Sequence, residues 1–241
     1  MESNRVAFIT GANKGLGFET ARQLGQLGIK IIMGSRNEQR GQEAAGTLAA
    51  EGIDARCIVV DVTDQTTIDA AVEQVDREVG KLDILINNAG ISIQHSPPSE
   101  MSMEDLRRTF DTNFFGAFAV TKAFLPLLRK AEDACIVNVS SGLGSLFRQS
   151  DLQSRVAHQD TVAYGISKTA LNSLTALFAN ELAGTGIKMN AIAPGFTATA
   201  LNNFTGTQTP EEAVRVIVRY ATLPPDGPTG GFFTKDGREP W

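Results

Sequence analysis

Short, nearly continuous apolar runs alternate with longer segments whose apolar positions recur every three or four residues, and this alternation holds along the whole chain. Arg5–Thr10 carries Val6, Ala7, Phe8 and Ile9 in succession, the composition of a strand buried on both faces. Phe18–Leu27 reads as a helix ended by Gly28, Lys30–Ser35 as strand two, Glu38–Glu51 as a helix and Arg56–Val62 as strand three. Thr66–Val79 is helical with Gly80 as its stop, and Asp83–Asn87 gives strand four. After a looser stretch, Ile91–Glu100, that holds Pro97 and Pro98, a helical region from Met103 to Lys130 breaks near Asp111–Asn113. Cys135–Ser140 is strand five, Thr161–Ala183 a helix, and Ile187–Ala193 strand six, stopped by Pro194 and Gly195. Glu211–Ala221 is a short helix and Gly231–Thr234 a last edge strand.

Val/Ile/Leu-rich strands alternating with helices imply a parallel sheet covered on both faces. Right-handed crossovers then favour a doubly wound α/β architecture with a central sheet of about seven strands. No repeat and no linker divides the 241 residues, so one domain is expected. Ligands of such sheets bind at the carboxyl ends of the strands. Six polar clusters sit at those ends: Gly11–Gly17, Ser35-Arg36, Asp61-Val62, Asn88–Gly90, Ser140-Ser141 and Pro194–Thr199. A single extended ligand accounts for their convergence better than ordinary loops do.

Composition narrows the partners. A net charge of -5 argues against nucleic acid, and no apolar run approaches the ~20 residues that span a bilayer. The opening MESNRVAFITG enters the first strand at once, leaving no room for a signal peptide. Cys57 and Cys135 lie in apolar runs and read as buried free thiols, away from any metal-ligand spacing. A cytosolic location is expected, with no metal, no membrane and no nucleic acid.

Two stretches carry chemistry. In Gly11-Ala12-Asn13-Lys14-Gly15-Leu16-Gly17 the glycines fall where a helix should begin. Glycine permits positive φ and close backbone approach, and a helix N-terminus offers unpaired N–H donors, so the turn suits a phosphate. Its spacing, G-x-x-x-G-x-G, differs from the common dinucleotide fingerprint G-x-G-x-x-G. In Tyr164-Gly165-Ile166-Ser167-Lys168 the phenol and the ammonium stand four apart, on one helix face. A free phenol with pKa near 10 serves poorly in proton transfer at neutral pH, and a nearby cation corrects that.

Taken together, Thr10–Gly17, Asn87-Asn88-Ala89-Gly90, Asn113, Ser141, Tyr164-x-x-x-Lys168 and Pro194-Gly195 resemble, in this order, the motif set of the short-chain dehydrogenase/reductase family. The resemblance covers nearly the whole chain. It implies a Rossmann-type fold, with a cofactor half over about residues 1–90 and a substrate and catalytic half over about 91–241. It also implies hydride transfer between nicotinamide C4 and a carbonyl or carbinol carbon. Tyr164 would donate the proton to the carbonyl oxygen, and Lys168 would hold the nicotinamide ribose and lower the Tyr164 pKa. Ser141, rather than Ser140, would hydrogen-bond the substrate oxygen, since Gly144 follows Ser141 as the family pattern asks. Asn113 would interrupt its helix and hold a water linking Lys168 to solvent. The cofactor would be held by Gly11, Asn13, Lys14, Gly15, Leu16, Gly17, Arg36, Asp61, Val62, Asn88, Ala89, Gly90, Tyr164, Lys168, Pro194, Gly195, Thr197 and Thr199. His95 and His158 fall in expected loops and read as exposed.

Between Ser141 and Tyr164 lie 22 residues, Gly142–Ala163, where the family more often has about 12. This insertion, the tail Gly230–Trp241 and Asn13-Lys14-Gly15 resemble the carbonyl-reductase group, which implies reduction of aldehydes, ketones or quinones. Substrate choice would rest with Ser92–Ser99, Ser145–Val162 and Phe196–Thr209, where Phe147, Phe196 and Phe204 suit a partly apolar pocket. The end of strand two offers Gly34-Ser35-Arg36-Asn37 in place of the acidic residue that NAD preference needs, so NADP(H) is expected, with Arg36 and Lys14 meeting the 2′-phosphate. An enoyl reductase of the same fold usually spaces Tyr and Lys seven apart. A nucleotide sensor without turnover usually lacks one of Tyr, Lys or Ser. Many members of the family dimerise through the long helices that here span Met103–Lys130 and Thr161–Ala183, and an insertion just before the second can lie across that surface, so a monomer or weak homo-oligomer is expected.

Overall fold

The computed structural model describes residues 4–93, 96–154 and 161–241 and gathers the strands into one sheet. They are β1 (Val6–Thr10), β2 (Lys30–Ser35), β3 (Ala55–Val59), β4 (Ile84–Asn87), β5 (Cys135–Val139), β6 (Lys188–Ile192), β7 (Phe232–Thr234) and β8 (Gly237–Glu239). Their spatial order is β3-β2-β1-β4-β5-β6-β7-β8, parallel except for the antiparallel β7/β8 pair. The order turns back between β1 and β4, the switch point at which doubly wound sheets open a crevice. Eight strands replace the expected seven or so. The addition, β8, is a three-residue Gly-Arg-Glu segment with no apolar signal, paired through a tight hairpin.

Helices α1 (Gly15–Gln26), α2 (Glu38–Ala50) and α8 (Pro210–Ala221) pack on one face. Helices α3 (Gln65–Val79), α5 (Gly116–Leu128) and α7 (Val162–Glu181) pack on the other. Successive strand residues point to opposite faces. Val6, Phe8, Ile32, Leu85 and Ile136 therefore meet Val75, Phe124 and Leu171, while Ala7, Ile9, Ile31, Ile86 and Val137 meet Leu24, Leu48 and Ile217. That two-sided burial is why the strands read as unbroken apolar runs. Phe8 and Phe124 sit 4.5 Å apart, centroid to centroid, at the middle of the first core.

The long helical region divides as its sequence predicts, into α4 (Met103–Phe110), a single π-turn (Asp111–Phe115) and α5. Helix α1 starts at Gly15, ahead of the expected Phe18, because tertiary packing overrides the poor helix propensity of glycine. Strand β3 stops at Val59 instead of Val62, since the Asp61 N–H donates to Thr67 Oγ1 (3.0 Å) and leaves the ladder. Helix α6 (Leu146–Ser150) lies within the 22-residue interval and is too short for any period to show. No helix among the described residues is long and apolar enough to cross a membrane.

One polar seam runs through this apolar interior. Asn87 Nδ2 donates to Thr121 Oγ1 and Asn138 Oδ1, each at 2.8 Å, and Asn138 Nδ2 donates to Thr175 Oγ1 at 2.8 Å. These groups are buried, where an unpaired amide would cost about 1–3 kcal/mol, so the bonds pin α5 and α7 to the ends of β4 and β5 in a single register.

Candidate active site

The turn after β1 is built for close approach. Gly11 and Gly15 take φ of 62° and 58°, where a side chain is strained. A β-carbon on Gly17 would lie 2.4 Å from Asn88 Nδ2 and 2.6 Å from the Gly11 carbonyl oxygen, so α1 begins directly against the turn. Asn88 fastens the crevice shut at its base: its Nδ2 donates to the carbonyls of Thr10 (2.8 Å) and Gly11 (3.1 Å). The N–H groups of Asn88 and Ala89 both donate to Thr10 Oγ1 at 3.0 Å. Lys14 caps α1 by backbone alone, which leaves the first N–H groups of the helix without a side-chain acceptor. Asn13 is half-buried beside it, and Leu16 packs against the second core.

The loop after β6 covers this turn. Thr199 Cγ2 lies 3.7 Å from where a Gly15 β-carbon would stand. Gln208 Nε2 donates to the Pro194 carbonyl and to Thr197 Oγ1 (3.3 Å), and Thr197 Oγ1 donates to the Gly195 carbonyl (3.1 Å). Gly195, at φ 92°, permits the reversal. Beyond β3, Asp61 Oδ1 accepts from the Thr63 N–H and hydroxyl, and the Val62 side chain is committed to the core against Gly116. Arg36 and Lys14 are exposed and pair with no carboxylate among the described residues.

Around Tyr164 the catalytic candidates assemble from three elements. Ser141 ends the β5 segment, Tyr164 and Lys168 lie one turn apart on α7, and Asn113 sits in the π-turn. Lys168, 3% exposed, donates from Nζ to the Val139 carbonyl at 2.7 Å and lies 5.5 Å from the centre of the Tyr164 ring. The Ser141 side chain, which accepts from the Leu143 N–H (3.2 Å), stands near enough to the Tyr164 hydroxyl to pull its pKa down. Asn113 brackets Ile91, accepting from its N–H (2.8 Å) and donating to its carbonyl (2.9 Å). Its Nδ2 also donates to Ser167 Oγ (3.0 Å), and Ser167 in turn donates to the Tyr164 carbonyl (2.7 Å). A β-carbon on Gly90 would lie 3.5 Å from Asn113 Oδ1 and 3.6 Å from Lys168 Nζ, so the bare Cα of Gly90 leaves a cradle open in front of both. Ser140 is buried and donates to Asn172 Oδ1 (2.6 Å), a structural place that separates it from Ser141.

The electrostatics of the protein alone differ from the expectation. Burial pushes the Tyr164 phenol up to about 12, against a smaller downward pull from the Ser141 hydrogen bond. Burial likewise brings the Lys168 ammonium down to about 8. Without the nicotinamide charge, burial sets the direction for both groups. His95, His158 and Arg155 lie outside the described residues.

Sequence reading missed the close crossing that assembles the site. A β-carbon on Gly144 would lie 2.8 Å from the Lys168 carbonyl carbon and 2.9 Å from its Cβ. Gly144 was visible as a motif position, but its contact was not. Also missed were Ser167, the Val139 carbonyl and Gln208, whose residue types carry no signal of their own. Gly144→Ala should therefore destabilise the protein by about 1–3 kcal/mol, as overpacking does, measured by urea unfolding without any ligand.

A second outcome follows from Lys168. Its folded-state pKa lies below the ordinary 10.5, so between pH 8 and 10.5 the unfolded chain binds more protons and this group's contribution to stability rises with pH. Wild type should gain stability relative to Lys168→Met as pH increases through that window, by denaturant unfolding at pH 7 and pH 10. A constant difference would mean that burial does not govern this lysine.

With the geometry in place, likenesses to known proteins fall into line. The family model described as short chain dehydrogenase matches residues 5–210. A short-chain dehydrogenase of Penicillium roqueforti is 38% identical over 223 residues, covering 90% of this chain and 88% of that one. Mouse carbonyl reductase [NADPH] 1 is 32% identical over 280 residues and is covered, like this chain, in full. The crystal structure of NADPH-bound carbonyl reductase from chicken fatty liver superposes with a TM-score of 0.85 at 28% identity, covering 98% of this chain and 99% of that one. The chain belongs to the short-chain dehydrogenase/reductase family of nicotinamide-dependent oxidoreductases, and its likeness within that family is to the carbonyl reductases.

Proposed function

We propose that this protein is an NADPH-dependent reductase of carbonyl compounds, with aldehydes, ketones or quinones as substrates and the reverse oxidation open to it. The observation that carries the reading is the convergence of Ser141, Tyr164 and Lys168 behind the cradle at Gly90, with the phenol held protonated. In the chain alone the phenol keeps its proton at neutral pH, and the positive charge of a bound oxidised nicotinamide would bring its pKa back toward the working pH, as general-acid catalysis requires. Names of relatives support the same direction: the mouse protein and its human counterpart, at 32% and 31% identity, are each a carbonyl reductase [NADPH].

The bound nicotinamide would supply the hydride. Ser141 and Tyr164 would hydrogen-bond the substrate oxygen, Ser141 stabilising developing negative charge and Tyr164 delivering the proton. Lys168 would hold the cofactor ribose, its ammonium steadied by the Val139 carbonyl, and Asn113 would keep α7 and the Ile91 segment in place while holding a water behind Lys168. Gly11, Asn13, Gly15, Leu16 and Gly17 would face the pyrophosphate from the start of α1. Asp61, Val62 and Asn88–Gly90 would flank the adenosine, and Pro194, Gly195, Thr197 and Thr199 would close over the nicotinamide side. Arg36 and Lys14, exposed and without a carboxylate partner among the described residues, would meet the 2′-phosphate.

Oxidation of NADPH against a panel of carbonyl compounds tests the activity directly. Tyr164→Phe should lower turnover by ~10²-fold or more while leaving NADPH binding intact, and a variant of near-full activity would remove Tyr164 from the chemistry. For the cofactor, two charge-assisted contacts at ~1.5–3 kcal/mol each allow at least a tenfold preference for NADPH. Arg36→Asp should raise the KM for NADPH and leave NADH use equal or improved. Wild-type protein that used the two cofactors equally well would sink the assignment.

A further inference from the structure

The segment that follows Ser141 does not hold itself in place. Helix α6 has five residues, far below the roughly 12–15 at which a helix becomes marginally stable alone. Its Leu146 and Phe147 are 58% and 62% exposed, so little apolar burial anchors it. Three polar contacts with the end of the chain do so instead. Ser145 Oγ donates to the Pro240 carbonyl (2.9 Å), the Phe147 N–H donates to the Trp241 carbonyl (2.8 Å), and an Arg148 nitrogen pairs with Glu239 Oε2 (2.6 Å). Trp241 is itself stacked on buried Phe232 of β7, with ring centres 5.8 Å apart and planes 13° from parallel. The anchor is thus continuous with the sheet through the β6/β7 pair.

Arg148 also reaches back toward the serine. Its other terminal nitrogen lies 3.4 Å from where a β-carbon on Gly142 would stand, next in sequence to Ser141. One guanidinium therefore spans the residue beside Ser141 and a carboxylate on the last strand. On the opposite side, Gln149 Nε2 donates to the Leu143 carbonyl and to Thr169 Oγ1 (3.3 Å), tying the same segment to α7. Losing the arginine contact would shift the segment without releasing it.

We propose that Arg148 and Glu239 form a positioning pair, through which the C-terminal hairpin sets the placement of Ser141 relative to Tyr164. The proposal rests on the carbonyl-reductase reading above. Neither residue touches the Tyr164 hydroxyl or Lys168 Nζ in the structure, so the pair acts through the turn it braces. Partial exposure of both side chains keeps its share of overall stability small. Its effect is on geometry, to which proton transfer and oxyanion stabilisation are steeply sensitive.

The chain has one tryptophan, Trp241, so its emission reports docking of the chain end without any turnover. Arg148→Ala, Glu239→Gln and the exchange Arg148→Glu with Glu239→Arg should be compared with wild type by acrylamide quenching, thermal melting and NADPH-linked kinetics. The two single variants should show greater quenching, kcat lower by about tenfold and KM for NADPH within about twofold of wild type. The exchange should recover most of both losses with an unchanged melting profile. Single variants with wild-type kcat, or with unaltered quenching, would overturn the proposal. So would a loss that the exchange fails to restore while the protein remains folded. Wild-type protein that reduced no carbonyl would take down the reading beneath it, and that failure appears before any variant is made.

Discussion

Where the turn after β5 crosses α7, backbone meets backbone: a β-carbon on Gly144 would stand 2.8 Å from the Lys168 carbonyl carbon. That clearance decides where Ser141, Tyr164 and Lys168 stand relative to one another. Glycine permits that approach, and the polar seam Asn87–Asn138–Thr175 ties the helix to the sheet beside it. Ser140 strengthens the same junction through Asn172, whose Nδ2 donates to the Gly144 carbonyl at 3.1 Å. The geometry of the site is therefore braced by buried hydrogen bonds beneath it, in addition to the apolar packing of α7.

The two ionisable groups of the site are moved apart by one cause. Burial raises the phenol to about 12 and lowers the ammonium to about 8, and each change favours the neutral form. At neutral pH the phenol therefore keeps its proton, and the lysine keeps its charge close to the limit that its surroundings tolerate. The Val139 carbonyl is what makes that charge sustainable, a contact with no signature in the sequence because every residue type carries the same oxygen.

Much of this architecture was legible beforehand. Two-sided strands announced themselves as apolar runs, Gly80 ended α3 in the left-handed conformation expected of it (φ 78°), and the break near Asp111–Asn113 is a π-turn. The residues gathered around Tyr164 were readable as candidates too, since Tyr164, Lys168, Ser141 and Asn113 are chemically distinctive. What did not show was whatever depends on contact at long range. The eighth strand needs only a hairpin and three residues, α6 needs the chain end, and the direction of the Tyr164 shift depends on how much water the fold removes. The cofactor-side assignments of Asp61 and Val62 came from their place at a strand end, and the structure adds that the Val62 side chain already faces the core.

The hairpin that supplies Glu239 also finishes the sheet. At that edge the outermost strand, β8, is three residues long and carries Arg238 and Glu239; at the other, β3 has five residues and includes Arg56, ion-paired to Glu78 at 2.7 Å. Short, charged edges make poor templates for pairing with a strand from another molecule. Contacts between copies of this chain are thereby left to helix faces and loops, where side chains, and hence sequence, choose the partner.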